Sequence, residues 1–443
     1  MKWIISAVWG IFLIAGLASP SLSGDTNDQL PGRVTVQDLI AYAYQNSPSI
    51  LKVREAWRET VEQYRITTGY PDPELKFTYF PEPIETRLGP QDWTASLNQK
   101  IPFPGKLAQA GKVVEAEARV AHINLDRIVK AVMASVRKSF YELLYIRKAK
   151  EVVAGNLRLL EHLRKVGETA YARDRAALMD MVKAQSQLGQ IRYDGILLDE
   201  LEFTEKTRLN GLLNRSPDAR IGKLLDGGFA PVVFDLRGLY RLAETNQEEI
   251  RMARALVEKA GARAELADFE NLPDFNIGVF YGSIGEPNVP VRPQDAGRDA
   301  LGFQIGVTIP LWVEKNRGRV AQAQAGIRKA RAAEEASVNE IRIRVHDLFF
   351  RLNNSLRLIV LYRDNLLPQA INAMEIAETW YREGQATFSD FVETQAVYYN
   401  FQLSLARARA DYGKYLAGLE QLVGQTITKL SSEREDKAEG GTK

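Results

Sequence analysis

Trp93–Lys106 reads WTASLNQKIPFPGK, and inside it one structural period gives way to another. Trp93, Ala95, Leu97, Gln99 and Ile101 alternate with Thr94, Ser96, Asn98 and Lys100, the period of two of a strand with one mostly apolar and one polar face. The alternation stops at Pro102. Pro102 and Pro104 cannot donate to a ladder, Gly105 allows a tight turn, and from Lys106 onward the apolar spacing is helical. Leu301–Gly318 repeats the event: LGFQIGVTIP alternates as far as Pro310 and leads through LWVEKNRG into a second long helical run. A strand feeding a very long helix thus occurs twice.

Around these two junctions the chain reads as a duplication. Leu39, Ala43, Asn46 and Ile50 recur as Leu239, Ala243, Asn246 and Ile250, and the same offset carries Pro73 onto Pro273. Beyond a loop of different length, Ile101-Pro102 falls on Ile309-Pro310, Val136 and Phe140 on Val345 and Phe349, and Asp180 and Gln185 on Asp390 and Gln395. Two copies point to gene duplication rather than a solenoid. The expected division is an export signal over 1–23, a first repeat over 34–214, a linker over 215–231, a second repeat over 232–425 and a disordered tail over 426–443.

Each repeat is expected to run helix, strand, strand, very long helix, helix. The first helix covers about Val36 to Thr68 and its copy about Leu236 to Glu270, each ended by prolines. Glu74 to Phe80 alternates like Trp93 to Ile101, and the hairpin loops PEPIETRLGPQ and SIGEPNVPVRPQDAGRD read as exposed. Lys112 to Ala154 and Ile327 to Leu367 contain neither Gly nor Pro and space their apolar residues by three and four. The long helix from about Lys106 to Ala172 reaches about 100 Å at 1.5 Å per residue. The two shorter helices of its repeat sum to nearly that length, so they stack end to end beside it.

Lys and Arg total 58 against 56 Asp and Glu, a balance that gives no reason to expect nucleic acid as a partner. Lys2, the apolar run Trp3–Leu17 and the small residues Ala18-Ser19 and Ser21-Leu22-Ser23 have the layout of a cleavable signal. A single membrane anchor is the alternative, but the run falls short of the ~20 residues a spanning helix needs. No later stretch reaches that length, so a membrane-embedded mature chain must cross by strands. With no cysteine, disulfides, thiolate metal sites and acylation of an N-terminal cysteine are excluded.

Four strands with one apolar face cannot close alone, and an open edge is not viable in lipid. The smallest outer-membrane barrels have eight strands, so closure calls for several chains. Phe77/Tyr79, Trp93/Leu97, Phe275/Val279 and Phe303/Val307 are then expected against lipid, and Lys76, Asn98, Lys100, Gln304 and Thr308 against water. The alternative is ordinary two-sided strands of a soluble domain, which leaves the signal and the long rods without a purpose.

With these features in place the chain resembles the TolC-like outer-membrane efflux channels over nearly all its mature length. The likeness rests on LIAYAYQNSPSI, IPFPGK, TIPLW with NRGRVAQAQA, YREGQATFSDFVETQ and LNGLLNRSP, in that family's order and spacing. It implies a mainly α chain with membrane β-strands: a coiled-coil-like α-helical barrel reaching into the periplasm of a Gram-negative bacterium, and four strands per chain in a homotrimeric, 12-stranded barrel. It implies as partners a periplasmic adaptor (membrane fusion) protein, a proton-driven inner-membrane pump and outer-membrane lipid. The acidic positions of the family's periplasmic iris match Asp390 and Glu393, which as a ring favour cations. Their bland alternative is to favour a helix start, where acids are common. Tyr381 matches a tyrosine that bonds an aspartate of the first repeat, here Asp180, and Ala386 stands where a reinforcing basic residue is expected. The tips that would meet the adaptor carry Asp174, Arg175, Gly384, Gln385 and Thr387, with Asp174 replacing an expected glycine.

No catalytic constellation accompanies these features. His122, His162 and His346 lack ligand-like spacing, there is no nucleophile elbow or P-loop, and no cofactor is expected. The leading function is a passive exit duct for small solutes, and IPFPGK and LNGLLNRSP lean toward the heavy-metal cation branch. The competing class, a secreted coiled-coil structural or adhesive stalk, explains the helices but not four amphipathic strands at matched positions.

Overall fold

The computed structural model describes residues 30–171, 178–226, 232–383 and 385–428. The expected export segment lies outside them, as do residues 227–231 of the linker and everything after 428.

The first half begins with β1 (Arg33–Val34), and Thr35 then starts α1 (Val36–Asn46) through a capping box with Asp38. The helix expected as one piece over 36–68 is two, because Ser47 is extended (φ −68°, ψ 120°) and α2 (Pro48–Thr68) begins behind it. Pro48 disfavours helical geometry at the residue before it and is well suited to open the next helix. The second half breaks at the same place without a proline: the Gln247 side chain caps its own helix start by accepting from the Glu249 amide. After α2 come β2 (Glu74–Thr86) and β3 (Gly89–Ile101), then α3 (Lys106–Tyr171), α4 (Leu178–Leu212) and β4 (Lys223–Leu224). The second half supplies α5 (Leu236–Asn246), α6 (Glu248–Phe269), β5 (Asp274–Ile284), β6 (Ala300–Thr308), α7 (Val313–Val360), α8 (Leu367–Glu383) and α9 (Phe388–Val423).

Two further expectations change. PEPIETRLGPQ is mostly strand, so the first hairpin turns at Arg87-Leu88, whereas residues 285–299 of the second hairpin remain a loop. Pro81 and Pro83 are tolerated because β2 is an edge strand and its pairing shifts between Tyr79 and Ile84. The second long helix is interrupted by a π-helical turn, Leu361–Leu366. Pro368 has no amide proton for the carbonyl four residues back and its ring crowds that carbonyl, so the ladder shifts by one residue and Leu367 N–H reaches Tyr362 O. The tail also starts later than 426: Ile427 is buried in the core and Thr428 bridges Val232.

The sheet has the order β2-β3-β5-β6, antiparallel throughout. Its register puts Phe77 opposite Ala95, Ala95 opposite Tyr281, and Tyr281 opposite Leu301, so one face is apolar across all four strands. That face is bare: Phe303 is 81% and Ile305 84% exposed. The other face carries Lys76, Ser96, Asn98, Asn276, Gln304 and Thr308, and there Gly302 makes room for Phe280, whose ring lies 2.1 Å from where a Cβ would be. At the strand-to-helix turn Gly105 has φ +90° and sits under Phe269, so both the conformation and the space demand glycine.

α3 is the spine. It packs against α2 and α4 on one side and α6 and α9 on the other. Leu39, Ala43 and Ile50 bury against Val136, Phe140 and Leu143, and Leu239, Ala243 and Ile250 against Ile341, Val345 and Leu352. A third cluster joins the halves toward the far end, where Leu160, Leu188 and Ile191 meet Ala377, Phe391 and Tyr399. The seam between α3 and α6 is laced by charge: Arg119–Glu258 at 2.8 Å, Lys259–Glu117 at 2.7 Å, Lys112–Glu265 at 3.8 Å, and Lys130 on Glu248. Where this seam meets the sheet, Asp274 Oδ1 accepts from Lys106 Nζ at 2.6 Å and from the Phe103 amide at 3.2 Å, while Lys100 approaches Oδ2 at 3.2 Å. One half-buried carboxylate thereby fixes the angle between strand and spine.

The linker is held by a second carboxylate. Arg147 donates to Gly222 O at 2.7 Å and to Ile221 O at 3.0 Å, and its Nε lies 3.1 Å from Glu202, which Lys150 and Lys206 also reach at 2.6 and 3.0 Å. Burial alone would raise the Glu202 pKa, but the hydrogen bonds from Lys150, Lys206 and Arg147 outweigh it and hold the group at about 2.

Two outcomes follow. Asp274→Ala leaves Lys106 without its anion, and because losing one partner of a largely buried pair costs about 3 kcal/mol or more, thermal unfolding followed by circular dichroism falls by at least about 3 °C. An unchanged transition would remove Asp274 from its role at the joint. For Glu202, the folded pKa lies below the unfolded value of 4.5, so its stabilisation is complete above that pH and lost as pH falls toward about 2. Exchange protection of the Lys223 and Leu225 amides, which bond to Gly32 and Val34, is expected to drop in Glu202→Gln at neutral pH and in wild type only below about 4.5.

Candidate functional site

The far end of the helices gathers the residues expected at a periplasmic gate. Gln385 N–H bonds Trp380 O at 2.8 Å and Ala386 N–H bonds the same oxygen at 3.2 Å, which turns the chain out of α8. Thr387 then opens α9: the Asp390 carboxylate accepts from its amide at 2.9 Å and from its hydroxyl at 2.7 Å, and the Asp390 amide donates back to that hydroxyl at 3.2 Å. These bonds, followed by the nearby charge of Lys183, hold the Asp390 carboxyl below the ordinary aspartate range. The expected acid is therefore also a helix cap, as the bland alternative anticipated, and it is ionised. Glu393 is exposed one turn further on, and the spacing of three puts the two carboxylates on one side of α9.

Tyr381 is half-buried against the cluster that joins the two halves. Gln385 and Thr387 are exposed at the turn. Asp174, Arg175 and Gly384 lie outside the described residues, and so does the side chain of Asp180, so the expected Tyr381–Asp180 bond falls outside as well.

Three cross-half contacts near the tip were not anticipated. Lys183 Nζ of α4 donates to Ser389 Oγ of α9 at 2.9 Å, beside Asp390. Gln395 of α9 donates to Asn156 of α3, which donates in turn to Val152 O at 2.9 Å, and both amides are fully buried. Tyr399 donates to Asp194 of α4 at 3.1 Å, and its phenol pKa is raised by burial and then by that carboxylate. The signal for the last two lay in the pattern Phe391, Gln395, Tyr399, where a polar group interrupts an apolar stripe at helical spacing. A buried Gln there needs a partner, but the partner's identity depends on how two distant helices align.

The histidines are scattered. His122 meets the Trp57 ring edge-on at 5.1 Å, and His346 faces an open groove lined by Tyr240, Glu244, Arg342 and Ile343. Among the described residues, no three His, Cys, Asp or Glu side chains come together as a metal-holding group. No described helix is long and apolar enough to cross a membrane.

Residues 239–425 match the family described as outer membrane efflux protein. Curated proteins searched by sequence give no match. Among solved structures, the outer membrane protein VceC from Vibrio cholerae is similar with a TM-score of 0.72 at 19% identity, covering 88% of this chain and 96% of that one. CusC is similar with a TM-score of 0.75 at 14% identity, covering 88% and 92%. The open state of the Neisseria gonorrhoeae MtrE outer membrane channel gives 0.71 at 14%, covering 89% of each. At these identities the structures speak for the fold, and the sequence match is to residues 239–425. The second half of the chain thus carries the sequence pattern of the outer membrane efflux proteins, and the chain as described has the fold of these outer-membrane channels.

Proposed function

We propose that three copies of this chain close a 12-stranded barrel and continue below it as a helical tunnel, a passive exit duct for small solutes. The observation that carries the reading is the four-stranded sheet, apolar and bare on one face and open at both edges, joined through Asp274 and Lys106 to a 66-residue helix about 100 Å long. A stalk has no use for such a sheet. Residues 34–214 and 232–425 act as the two repeats, each giving one hairpin to the barrel. The tips around Asp174, Arg175, Gly384, Gln385 and Thr387 receive a periplasmic adaptor, and a proton-driven inner-membrane pump supplies the work. The cargo is a small solute, with heavy-metal cations favoured by IPFPGK, LNGLLNRSP and the acidic pair.

At the narrow end Asp390 and Glu393 from three chains form a ring of six carboxylates that favours cations. Asp180 and Tyr381 belong to the same gate, and the contacts Lys183–Ser389 and Tyr399–Asp194 hold α9 to α4. Opening requires these to part.

Single-channel recording in planar bilayers tests both parts. Because Asp390 caps α9, Asp390→Asn is used rather than alanine, since its amide oxygen still accepts from Thr387. Together with Glu393→Gln it is expected to lower cation over anion permeability several-fold while conductance persists; unchanged selectivity would take the ring out of the mechanism. In a second comparison, Lys183→Met/Tyr399→Phe is expected to raise mean conductance at least about twofold, each lost bond being worth roughly 1 kcal/mol. Conductance equal to wild type would show that the latch lies elsewhere, and no conductance from a reconstituted oligomer would sink the duct itself.

A further inference from the structure

The duplication carries a set of helix contacts with it. α3 matches α7, with Phe140 on Phe349, and α4 matches α9, with Gln185 on Gln395. Inside the chain α3, the long helix of the first half, packs against α9 of the second, whereas α7 packs against α5, α6 and α9 of its own half. Each contact of the α3–α9 seam therefore has a matched pair of positions on α7 and α4. Tyr141 lies over Gly413, its ring 2.5 Å from where a Cβ would be. The matched positions are Phe350 and Phe203, 60% and 57% exposed. Glu142 accepts from Arg407 at 2.8 Å and from Lys414 at 2.6 Å. At that level α7 has Arg351, and α4 has Glu200 between the counterparts of the two cations. The buried amides Asn156 and Gln395 match Asn365 and Gln185, both exposed. Phenyl answers phenyl, guanidinium answers carboxylate and amide answers amide, yet both sides stand open in the single chain.

We propose that copies of the chain join by laying α7 of one against α4 of the next in the register of the internal α3–α9 seam, and that the reversed sense of Arg351–Glu200 tells this contact from the internal one. The inference rests on the reading of the chain as a duct of several copies. The occupant is a second copy because the second half of one chain offers what the first half of another accepts, a head-to-tail contact that repeats around a ring. Arg351 Nε holds Asp347 of its own helix at 2.9 Å, and Glu200 has no charged partner among the described residues. The sense of the pair excludes wrong partners. A foreign α9 on α7 would set Arg407 and Lys414 against Arg351, and a foreign α4 on α3 would set Glu200 against Glu142. Like charges in the middle of a helix seam oppose both, while the paired phenyl rings supply apolar area to the right match.

Engineered cysteines test the register, since the chain has none of its own. In the full-length channel in detergent, Phe203→Cys/Phe350→Cys is expected to give disulfide-linked dimers and higher multiples on oxidation, and either single variant to stay unlinked. Links in Phe350→Cys alone would set second half against second half and overturn the register. Charge reversal tests the code. Arg351→Glu is expected to lower the oligomeric fraction at a fixed ratio of detergent to protein at least about threefold, and Arg351→Glu/Glu200→Arg to restore it. Loss without restoration would make Arg351 a merely structural residue and overturn the code. An intact oligomer with no cross-link would leave this face to another partner, overturning the seam while the duct stands, whereas a monomeric wild type would overturn both.

Discussion

A backbone polar group inside a membrane must find its partner within protein, and the rest of this structure follows from that requirement. The larger described sheet has four strands, with the edges of β2 and β6 left open and nothing covering Phe303 or Ile305. Such a sheet is unstable as a monomer in either solvent. Water opposes its apolar face and lipid opposes its edges. Within the chain the helices hold the sheet in one orientation, through the spine α3, the charged seam to α6 and Asp274 at the joint. None of the exposed pairs in the seam between α3 and α6 contributes much alone. Spaced along one helix, they fix its alignment with its neighbour, which packing of small apolar residues does not do.

Much of this was legible in the sequence because both kinds of element carry a strong period. The alternation from Trp93 to Ile101 gives the strand, its faces and its end, and the register of all four strands follows the expected apolar and polar sides. The breaks were less legible. Ser47 sits between two helical patterns in phase with each other, so only Pro48 hints at the interruption, and Gln247 gives no such hint. Pro81 and Pro83 argued for a loop where an edge strand in fact tolerates them. At the tip, Asp390 and Glu393 were found by motif, but Asn156–Gln395 and Tyr399–Asp194 join residues more than two hundred positions apart on different helices. No local pattern encodes such a pair.

The two halves share an architecture and divide the labour. Equivalent residues such as Leu39 and Leu239 bury in equivalent cores, whereas Phe103 and Leu311, or Gln185 and Gln395, have opposite exposures. At these matched positions one half packs its residue internally while the other leaves its counterpart exposed.

The π-helical turn at Leu361–Leu366 carries this asymmetry into the geometry of the long helices. Upstream, the buried positions of α7 recur as Val345, Leu352 and Ile359, a strict seven-residue beat, and downstream Ala370 and Ala377 keep the same beat. Between Ile359 and Ala370 the interval is eleven, so the phase slips by four residues there. A slip of that kind unwinds a left-handed supercoil locally. The uninterrupted α3 has no counterpart to it. One long helix of the chain is therefore continuous, while the other shifts its phase at a fixed height. The placement of Pro368 thus sets the height at which the second long helix changes phase, while the first passes that height without a break.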